Sequence, residues 1–293
     1  MKVSVVIPLY NARDVIRETI ESVLAQSWKD YDIVVVDDGS TDGSEAIVRE
    51  FGDRVHYVRQ DNGGVARARN RGIAESIGEY IALLDHDDLW HPAKLEKQVA
   101  VLDRRPEVGI VITDVAHIDR DGKPMGVIGA GYNPSETFAR LFVRGYVPTP
   151  SAAMIRRSVL QTVGGFDERF HSAGLDDHEL WTRIAAQYDI ANIAEPLTYH
   201  RNREIKPAQI ALGHRPLLLS TLLERFGHDP VRRRYLLREQ ACYLADRGKQ
   251  LVRDGHRREG RSILWQGLVL SLGDGRSLTT AWRCLSRLTR SYL

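Results

Sequence analysis

Cysteine is scarce in this chain of 293 residues. Only Cys242 and Cys284 are present, and neither has a second cysteine at the spacing of a CxxC pair. Disulfide frameworks and structural zinc sites need several cysteines at defined spacings. The sequence therefore predicts two reduced thiols and a core built without disulfides or zinc, which a chain of this length can provide.

Long apolar runs are also missing. No uninterrupted run comes near the roughly 20 residues of a membrane-spanning helix. The first segment, MKVSVVIPLYNARD, is interrupted by Pro8 and by polar residues from Asn11 onward, which is unlike a secretory signal peptide. We therefore expect a soluble, cytoplasmic protein.

Several signatures of other enzyme classes are absent from the sequence. It has no GxGxxG after a strand pattern, no GxxxxGK[ST] phosphate loop and no GxSxG nucleophile elbow. The histidines are scattered and show no zinc-ligand spacing. These absences argue against a dinucleotide-binding enzyme, a P-loop enzyme, an α/β-hydrolase and a zinc enzyme.

Charge of the two signs is divided unevenly along the chain. Residues 1–200 hold 22 basic and 31 acidic side chains, whereas residues 201–293 hold 19 basic and 8 acidic ones. The whole chain is nearly neutral, with a formal net charge of +2. Such an asymmetry predicts two parts with different partners.

Apolar runs and helical patterns alternate in the first half. The runs VSVVIPL, YDIVVVD, YIALLD and VGIVITDV suit strands that are buried on both faces. Helical patterns separate them, which predicts an α/β fold with a largely parallel sheet covered by helices. Asn11 is expected to cap the first helix, and Thr41 or Asp42 to start the second.

The region after Pro207 shows a different pattern and is predicted to be all helical. Two long segments within it predict a helical hairpin, and residues 277–293 predict a short amphipathic basic helix. No long repeat and no low-complexity segment interrupts either half.

The stretch YIALLDHDDLWHP runs from a predicted strand into three aspartates. Ligands of parallel sheets bind beyond the carboxyl ends of the strands, which is where Asp85, Asp87 and Asp88 fall. Converging carboxylates repel each other unless a cation neutralises them, and hard oxygen ligands suit Mg²⁺ or Mn²⁺. The alternative is a solvated acidic loop that caps the next helix.

Two further acidic groups have a structural and a functional interpretation. Asp37 and Asp38 precede Gly39–Ser40, which predicts either an Asp-Gly turn or a carboxylate that binds a nucleobase or ribose. Asp176 and Asp177 lie at a predicted helix start, where they cap the helix or supply a general base.

Five segments in order resemble the family 2 glycosyltransferases with the GT-A fold. They are VSVVIPLYNA, IESVLAQSWKDYDIVVVDDGSTDGS, NGGVARARNRGI, GEYIALLDHDDLWHPAKLEKQ, and VGGFDERF with GLDDHELWTRI. The resemblance covers about residues 1–200. It implies a Rossmann-like, mixed, mostly parallel sheet flanked by helices over residues 1–210, followed by a basic, all-helical extension over residues 211–293.

The resemblance also implies a role for each matching residue. Asp177 matches the catalytic base. The nucleotide-sugar side matches Pro8, Tyr10, Asp37, Asp38, Arg69, Asn70 and Asp85. The metal, Mn²⁺ or Mg²⁺, matches Asp87 and Asp85, with His200 as an additional candidate. The acceptor side matches Asp176, Trp181 and Arg183.

Two positions depart from the family pattern. Asp176 stands where a glutamate usually precedes the base, and Tyr199-His200-Arg201-Asn202 stands where Tyr-Arg-x-His is common. The first change shortens the reach of a carboxylate and keeps its charge. The second puts a metal-ligand role of His200 in doubt.

The implied function is an inverting, metal-dependent transfer of a sugar. The donor would be a nucleoside-diphosphate sugar, with UDP favoured. The acceptor would be a hydroxyl of a glycan or lipid-linked molecule in cell-surface polysaccharide biosynthesis, and no nucleic-acid partner is expected. The basic helices would contact the inner face of the plasma membrane or pack on the catalytic domain with solvated arginines.

Other functions leave weaker traces. A nucleotidyltransferase would carry a glycine-rich loop after the first strand, and a processive synthase would carry membrane helices and a QxxRW motif. A receiver domain would use Asp85 as phosphoacceptor and Lys123 as its terminal lysine, but Lys123 lies in a DGKP turn. A non-catalytic nucleotide-sugar-binding domain remains a further alternative.

Overall fold

The computed structural model describes residues 1–128, 147–170, 175–201 and 207–273. The chain divides into two compact units, Met1–Pro207 and Ala208–Leu293. The division falls close to the boundary at residue 210 that the sequence predicts. The identity of the two parts as catalytic domain and extension stays a prediction.

The first unit is built on one mixed sheet, whose strands follow the order β3-β2-β1-β4-β8-β6-β9-β5, with β7 paired to β6. The strands are β1 (Val3–Leu9), β2 (Tyr31–Asp37), β3 (His56–Arg59), β4 (Tyr80–Leu83), β5 (Leu89–Trp90), β6 (Val108–Ile118), β7 (Pro124–Ile128), β8 (Met154–Arg156) and β9 (Asp189–Arg201).

Parallel and antiparallel pairings are distributed unevenly in this sheet. β1 runs parallel to β2 and β4, β2 to β3, and β6 to β9. The short strands β5, β7 and β8 pair antiparallel with their neighbours. Because β8 lies between β4 and β6, the segment that leads into β8 lies next to the carboxyl end of β4.

Helices cover both faces of the sheet, as the uninterrupted apolar runs predict. They are α1 (Ile16–Leu24), α2 (Ser44–Arg49), α3 (Val65–Glu75), α4 (Lys94–Arg104), α5 (Arg157–Val163) and α6 (Asp176–Ala185). Successive residues of a strand point to opposite faces. Val5 and Ile7 of β1 therefore pack in the core that includes α1 and α4, and Val6 packs in the core that includes α5 and α6.

A glycine allows α3 to lie directly on the sheet. A Cβ atom at Gly72 would overlap the side chain of Val6 and lie 3.3 Å from Cγ2 of Val36. Only a residue without a side chain fits this contact between the helix and strands β1 and β2. Arg69 lies one turn earlier on the same helix.

The expectation that Asn11 caps the first helix is wrong. Asn11 has a left-handed backbone with φ of 47°, and its Oδ1 accepts a hydrogen bond from the backbone N–H of Thr41 at 2.9 Å. It therefore joins the loop after β1 to the loop after β2. Helix α1 begins only at Ile16, and α2 begins at Ser44, whose N–H donates to Oδ1 of Asp42.

The second unit contains α7 (Pro207–Phe226), α8 (Pro230–Arg253) and α9 (Arg257–Gly273). Helices α8 and α9 pack against each other and confirm the predicted hairpin. A Cβ atom at Gly248 would lie 2.8 Å from the carbonyl oxygen of Gly260, so the two backbones touch at a pair of glycines.

Some of the other expectations for the second unit concern described residues, and others concern residues outside the described ranges. Cys242 lies half-buried in α8, and no helix in the described ranges is long and apolar enough to cross a bilayer. Cys284 and the predicted closing helix over residues 277–293 lie outside the described residues.

Candidate functional site

One arginine joins the acidic groups that the sequence singles out. The guanidinium of Arg69 is 5% exposed. Its Nη2 donates to Oδ1 of Asp85 at 2.6 Å, and its Nη1 donates to Oδ2 of Asp176 at 2.6 Å. The ring of Phe166 lies 5.2 Å from the guanidinium carbon. The structure therefore brings a predicted donor-side carboxylate and a predicted acceptor-side carboxylate to the same cation.

This cation sets the ionisation of Asp85. Burial opposes the charged carboxylate, but the charge and hydrogen bond of Arg69 outweigh burial and lower the pKa of Asp85. Asp85 therefore stays ionised at the end of β4. Nε of Arg69 has no hydrogen-bond partner within the described part of the chain, so one buried donor is left over for a ligand oxygen.

The Asp85–Asp88 loop is held by hydrogen bonds to three other segments. The N–H of Asp85 donates to Oγ of Ser151 at 3.0 Å, and Oγ1 of Thr19 donates to the carbonyl of His86 at 2.9 Å. Nδ1 of His86 lies 3.1 Å from the carbonyl oxygen of Pro8. His86, to which the sequence assigns no role, thus ties the loop to β1 and α1.

Asp88 is the structural member of this loop. Its carboxylate accepts from Oγ of Ser151 at 2.6 Å and from the N–H of Arg201 at 3.0 Å. Burial, together with the charges of Asp87 and Asp85, raises the pKa of Asp88 well above its usual value. Three carboxylates therefore lie close enough to repel one another.

This excess of negative charge fits a divalent cation. Mg²⁺ is usually held by one or two carboxylates together with substrate phosphates, and Asp85 and Asp87 are partly exposed. No set of three His, Cys, Asp or Glu side chains in the described ranges forms a complete metal site. A phosphate-bearing ligand would therefore have to supply the remaining oxygen ligands.

His200 makes a different contact from the one expected of a third ligand. Its Nδ1 lies 3.3 Å from Nδ1 of His117, and the two rings meet edge to face. Burial and the neighbouring His117 lower the pKa of His200, although Asp87 and Asp85 act in the opposite direction. A ligand role for His200 stays a prediction.

The carboxyl of Asp177 has an ionisation suited to proton transfer. Burial and the charge of Asp176 raise its pKa to about 7, against the opposing effect of Arg69. Its Oδ1 accepts a local hydrogen bond from the N–H of His178 at 2.7 Å. The residue before α6, Leu175, contributes no side-chain cap. A carboxyl that titrates near neutral pH can accept a proton from a substrate hydroxyl.

Asp37 is fully engaged with its own surroundings. Its Oδ1 accepts from the N–H of Ser40 at 2.7 Å, and its Oδ2 accepts from the hydroxyl of Tyr57 at 2.7 Å and from Nη1 of Arg59 at 3.4 Å. The Asp-Gly turn expected as the alternative is therefore present.

Asp38 holds the loop that leads into α3. Its Oδ1 accepts from the side chain of Gln60 at 2.8 Å and from the N–H of Gly63 at 2.9 Å, and its Oδ2 accepts from the N–H of Gly64 at 2.8 Å. The roles of Asp37 and Asp38 in binding a nucleotide stay predictions.

The sequence of this chain matches a known protein family. A family model described as glycosyl transferase family 2 matches residues 4–164, more than half of the chain. The chain belongs to this family. The predicted enzyme class, a glycosyltransferase, is thereby confirmed at the level of the family.

Curated relatives of the chain carry glycosyltransferase names. A Bacillus subtilis protein named glycosyltransferase EpsE is 33% identical over 188 residues, 62% of this chain and 66% of that protein. An uncharacterised glycosyltransferase of Rickettsia prowazekii is 32% identical over 186 residues, 62% and 58% of the two chains. B. subtilis TuaG, named for teichuronic acid biosynthesis, is 40% identical over 127 residues, 42% and 50%. The chain thus spans less than two thirds of these relatives.

Solved structures of S. aureus TarS share the fold. One has a TM-score of 0.65 at 17% identity and covers 96% of this chain and 54% of that chain. Another, of residues 1–349 with UDP-GlcNAc, has a TM-score of 0.63 at 14% identity and covers 99% and 90%. This likeness confirms the predicted GT-A architecture of a mixed sheet flanked by helices.

Three residues that the family resemblance assigns to ligands make extensive contacts within the protein. Asn70 exchanges hydrogen bonds with the backbone of Phe166. Trp181 is 2% exposed, and Arg183 donates to Glu179 and to the carbonyls of residues 163–165. These contacts hold residues 163–166 in place. Direct contacts with donor or acceptor stay predictions for all three.

The two remaining predicted residues of the glycosyl transferase site differ in exposure. Pro8 is buried in β1 and offers only its carbonyl, which contacts His86. Tyr10 follows β1 directly and is 47% exposed. A ring in that position can stack on a nucleobase.

A cleft of about 800 Å³ lies beyond the ends of β1, β6 and β9. Its lining residues are Asn11, Ala12, Arg13, Asp14, Val15, Glu18, Asp42, Arg120, Asp121 and Arg201. No sequence signal marks three residues that contact the Asp85–Asp88 loop, namely Arg201, Thr19 and Ser151. A cluster of acidic residues gives a visible sequence signal, whereas single residues that hold such a cluster from distant elements do not.

Proposed function

We propose that this chain transfers a sugar from a nucleoside-diphosphate sugar, with UDP favoured, to a hydroxyl of a glycan or lipid-linked acceptor. The observation that carries the proposal is the single buried guanidinium of Arg69 between Asp85 and Asp176, next to Asp177. This contact of Arg69 with Asp85 and with the Asp176–Asp177 pair supports a donor site next to a base. TarS structures in complex with UDP and UDP-GlcNAc support a donor of this class.

The proposed reaction is a single displacement. The acceptor oxygen attacks the anomeric carbon as the bond from that carbon to the diphosphate oxygen breaks, and Asp177 takes the hydroxyl proton. Attack from the face opposite the leaving group inverts the anomeric configuration, as in inverting glycosidases. A divalent metal, Mn²⁺ or Mg²⁺, held by Asp85 and Asp87 would offset the charge that develops on the diphosphate.

The name of TuaG, which refers to teichuronic acid biosynthesis, supports a place in cell-surface polysaccharide synthesis. We further propose that the protein works in the cytoplasm, at the inner face of the plasma membrane. The second unit carries exposed Trp265 and Val269 four residues apart on α9, and the region after residue 200 is strongly basic. Aromatic and basic side chains on one helix suit an anionic bilayer surface.

A thermal-shift screen of nucleoside diphosphates tests the proposal. We expect UDP with Mn²⁺ to raise the melting temperature more than UDP or Mn²⁺ alone, because ligands that bind only the folded state stabilise it. Asp87→Ala should lose the added effect of the metal. Asp53→Ala, a change of an exposed aspartate on another loop, should keep it. The absence of a shift with every nucleoside diphosphate would refute the proposal.

Sedimentation of the full chain with vesicles tests the membrane contact. Binding to vesicles that contain anionic lipid, weakened by salt and by Trp265→Ala, is the expected result. A protein that stays in the supernatant at low salt with such vesicles has no membrane-binding surface of this kind.

A chain that binds UDP and manganese but never releases UDP from a sugar nucleotide would be the non-catalytic alternative.

A further inference from the structure

Arg201, the last residue of β9, donates hydrogen bonds to several segments of the first unit. Its side chain is 4% exposed. Nε donates to the carbonyl of Asp87 at 3.0 Å, Nη2 donates to Oε2 of Glu18 at 2.7 Å, and Nη1 donates to the carbonyl of Arg120. Three nitrogens of one side chain are therefore engaged with three different segments.

The backbone of Arg201 holds the same loop at a second point. Its N–H donates to Oδ1 of Asp88, whose other carboxylate oxygen accepts from Ser151. Residues 85–88 belong to no strand or helix, so no ladder of backbone hydrogen bonds fixes them. One backbone hydrogen bond within the loop, from the N–H of Asp88 to the carbonyl of Asp85 at 3.1 Å, is joined by donors from outside it. Among these, Arg201 binds on both sides of the bond between Asp87 and Asp88.

The shape of the side chain matters for this contact. A guanidinium presents several N–H groups in a rigid plane, whereas a lysine ammonium is a compact charge on a flexible stem. The partner Glu18 is itself more than half exposed, so the ion pair contributes little by itself. The two carbonyl contacts and the contact with Glu18 together require the planar fork.

We propose that Arg201 is a positioning residue for the metal–diphosphate site: by holding the Asp87 carbonyl and the Asp88 carboxylate, it fixes the loop that carries Asp85 and Asp87. The proposal rests on the proposed function, because it concerns the same loop. Arg201 acts through Asp87 and itself contacts neither donor nor metal.

Manganese binding in the presence of saturating UDP tests this proposal. Free Mn²⁺ can be counted by its electron paramagnetic resonance signal as the purified full chain is titrated. Arg201→Gln should raise the dissociation constant for Mn²⁺ by about 10- to 100-fold, the usual effect of losing a residue that orients a metal ligand. The dissociation constant of Arg201→Lys for Mn²⁺ should lie between those of Arg201→Gln and the wild type.

A matched control lies on the same helix as Glu18. Arg17 forms an exposed ion pair with Glu50 at 2.6 Å, so Arg17→Gln also removes one arginine and one ion pair. It should leave the dissociation constant for Mn²⁺ unchanged. Binding of UDP without metal should differ by less than about twofold among all variants, because the contacts of Arg201 lie on the loop that carries the predicted metal ligands.

The outcomes separate this proposal from the function on which it rests. If the wild type shows no UDP-dependent binding of Mn²⁺, the proposed function and this proposal both fail. If the wild type binds but folded Arg201→Gln has the same constant, only the positioning role is refuted, and a lowered melting temperature alone would mark Arg201 as purely structural. Should Arg201→Gln not fold, Arg201→Lys decides: a raised dissociation constant for Mn²⁺ supports the proposal, and an unchanged one overturns it.

Discussion

The acidic pairs Asp37–Asp38 and Asp176–Asp177 of the first unit differ in the hydrogen-bond donors that surround their carboxylates. Asp37 and Asp38 each accept from three donors, which strand β3 and the neighbouring loops supply. Asp176 and Asp177 share the field of one arginine, which also serves Asp85, and the pKa of Asp177 rises to about 7. A carboxylate rich in donors stabilises the fold, whereas one short of donors can accept a proton from a substrate.

The largest expected effect is on sugar transfer, when the carboxylate of Asp177 is removed. Asp177→Asn keeps the shape of the side chain and removes the proton acceptor, so we expect release of UDP from the sugar nucleotide to fall by about 10²- to 10⁴-fold. Steady-state kinetics with the donor that the thermal-shift screen selects measure the loss. Asp53→Asn is the control on an exposed loop, and undiminished turnover of purified Asp177→Asn would remove Asp177 as the base.

Removing the shared cation comes next. Arg69→Met leaves Asp85 and Asp176 without their partner in a buried site, so we expect the free energy of unfolding to drop by about 3 kcal/mol or more. Denaturant unfolding at neutral pH measures the change. Arg71→Met, on the same helix but in an exposed pair with Glu75, should change stability by less than about 1 kcal/mol. Equal effects in the two variants would contradict the central place of Arg69.

The dependence of stability on pH follows from the raised pKa of Asp177. An aspartate in the unfolded chain has a pKa of about 3.9. Between this pH and about 7 the folded state binds more protons at Asp177 than the unfolded state, so this group makes the free energy of unfolding fall as pH rises.

Asp177→Asn isolates the contribution of this one carboxyl. Wild type and variant are unfolded by denaturant at several pH values between 4 and 8, and the difference between their curves is compared. The wild type should lose stability with rising pH relative to the variant. A difference that is constant over this range would show that Asp177 has an ordinary pKa.

The smallest expected effect concerns the saturated pair. Tyr57→Phe removes one of three donors to the Asp37 carboxylate and should lower the free energy of unfolding by about 2 kcal/mol. Transfer should stay within about twofold of wild type, since the lost hydrogen bond lies outside the acidic cluster around Arg69. A loss of UDP affinity in this variant would bring Asp37 closer to the nucleotide than its contacts indicate.

The architecture of the first unit could be predicted because buried strands and their covering helices leave a periodic trace. The aspartates at the ends of β2 and β4 are visible for the same reason, since they interrupt apolar runs. The antiparallel insertion of β8 leaves no such trace, because three residues after a loop give no period. The capping role assigned to Asn11 failed because its left-handed backbone turns the side chain toward Thr41, a contact 30 residues away in sequence.

The charge partners within the site could not be predicted from local patterns. Arg69 and Asp176 are separated by 107 residues, and Arg201 and Asp87 by 114. Contacts of this kind depend on how strands order themselves in the sheet, which one sequence read in short windows does not specify. The sequence identifies which groups carry charge, and the fold decides which groups neutralise it.

Gly72, an uncharged residue, sets how closely the helix that carries Arg69 approaches the sheet, and so affects the ion pairs of Arg69 with Asp85 and Asp176. Because α3 rests on Val6 and Val36 without a side chain between them, the size of residue 72 acts as a spacer under the helix. A methyl group there would lift the helix and carry Arg69 away from Asp85 and Asp176. The electrostatics of the acidic cluster are thus tuned by a distance of closest approach, set one helical turn away from Arg69.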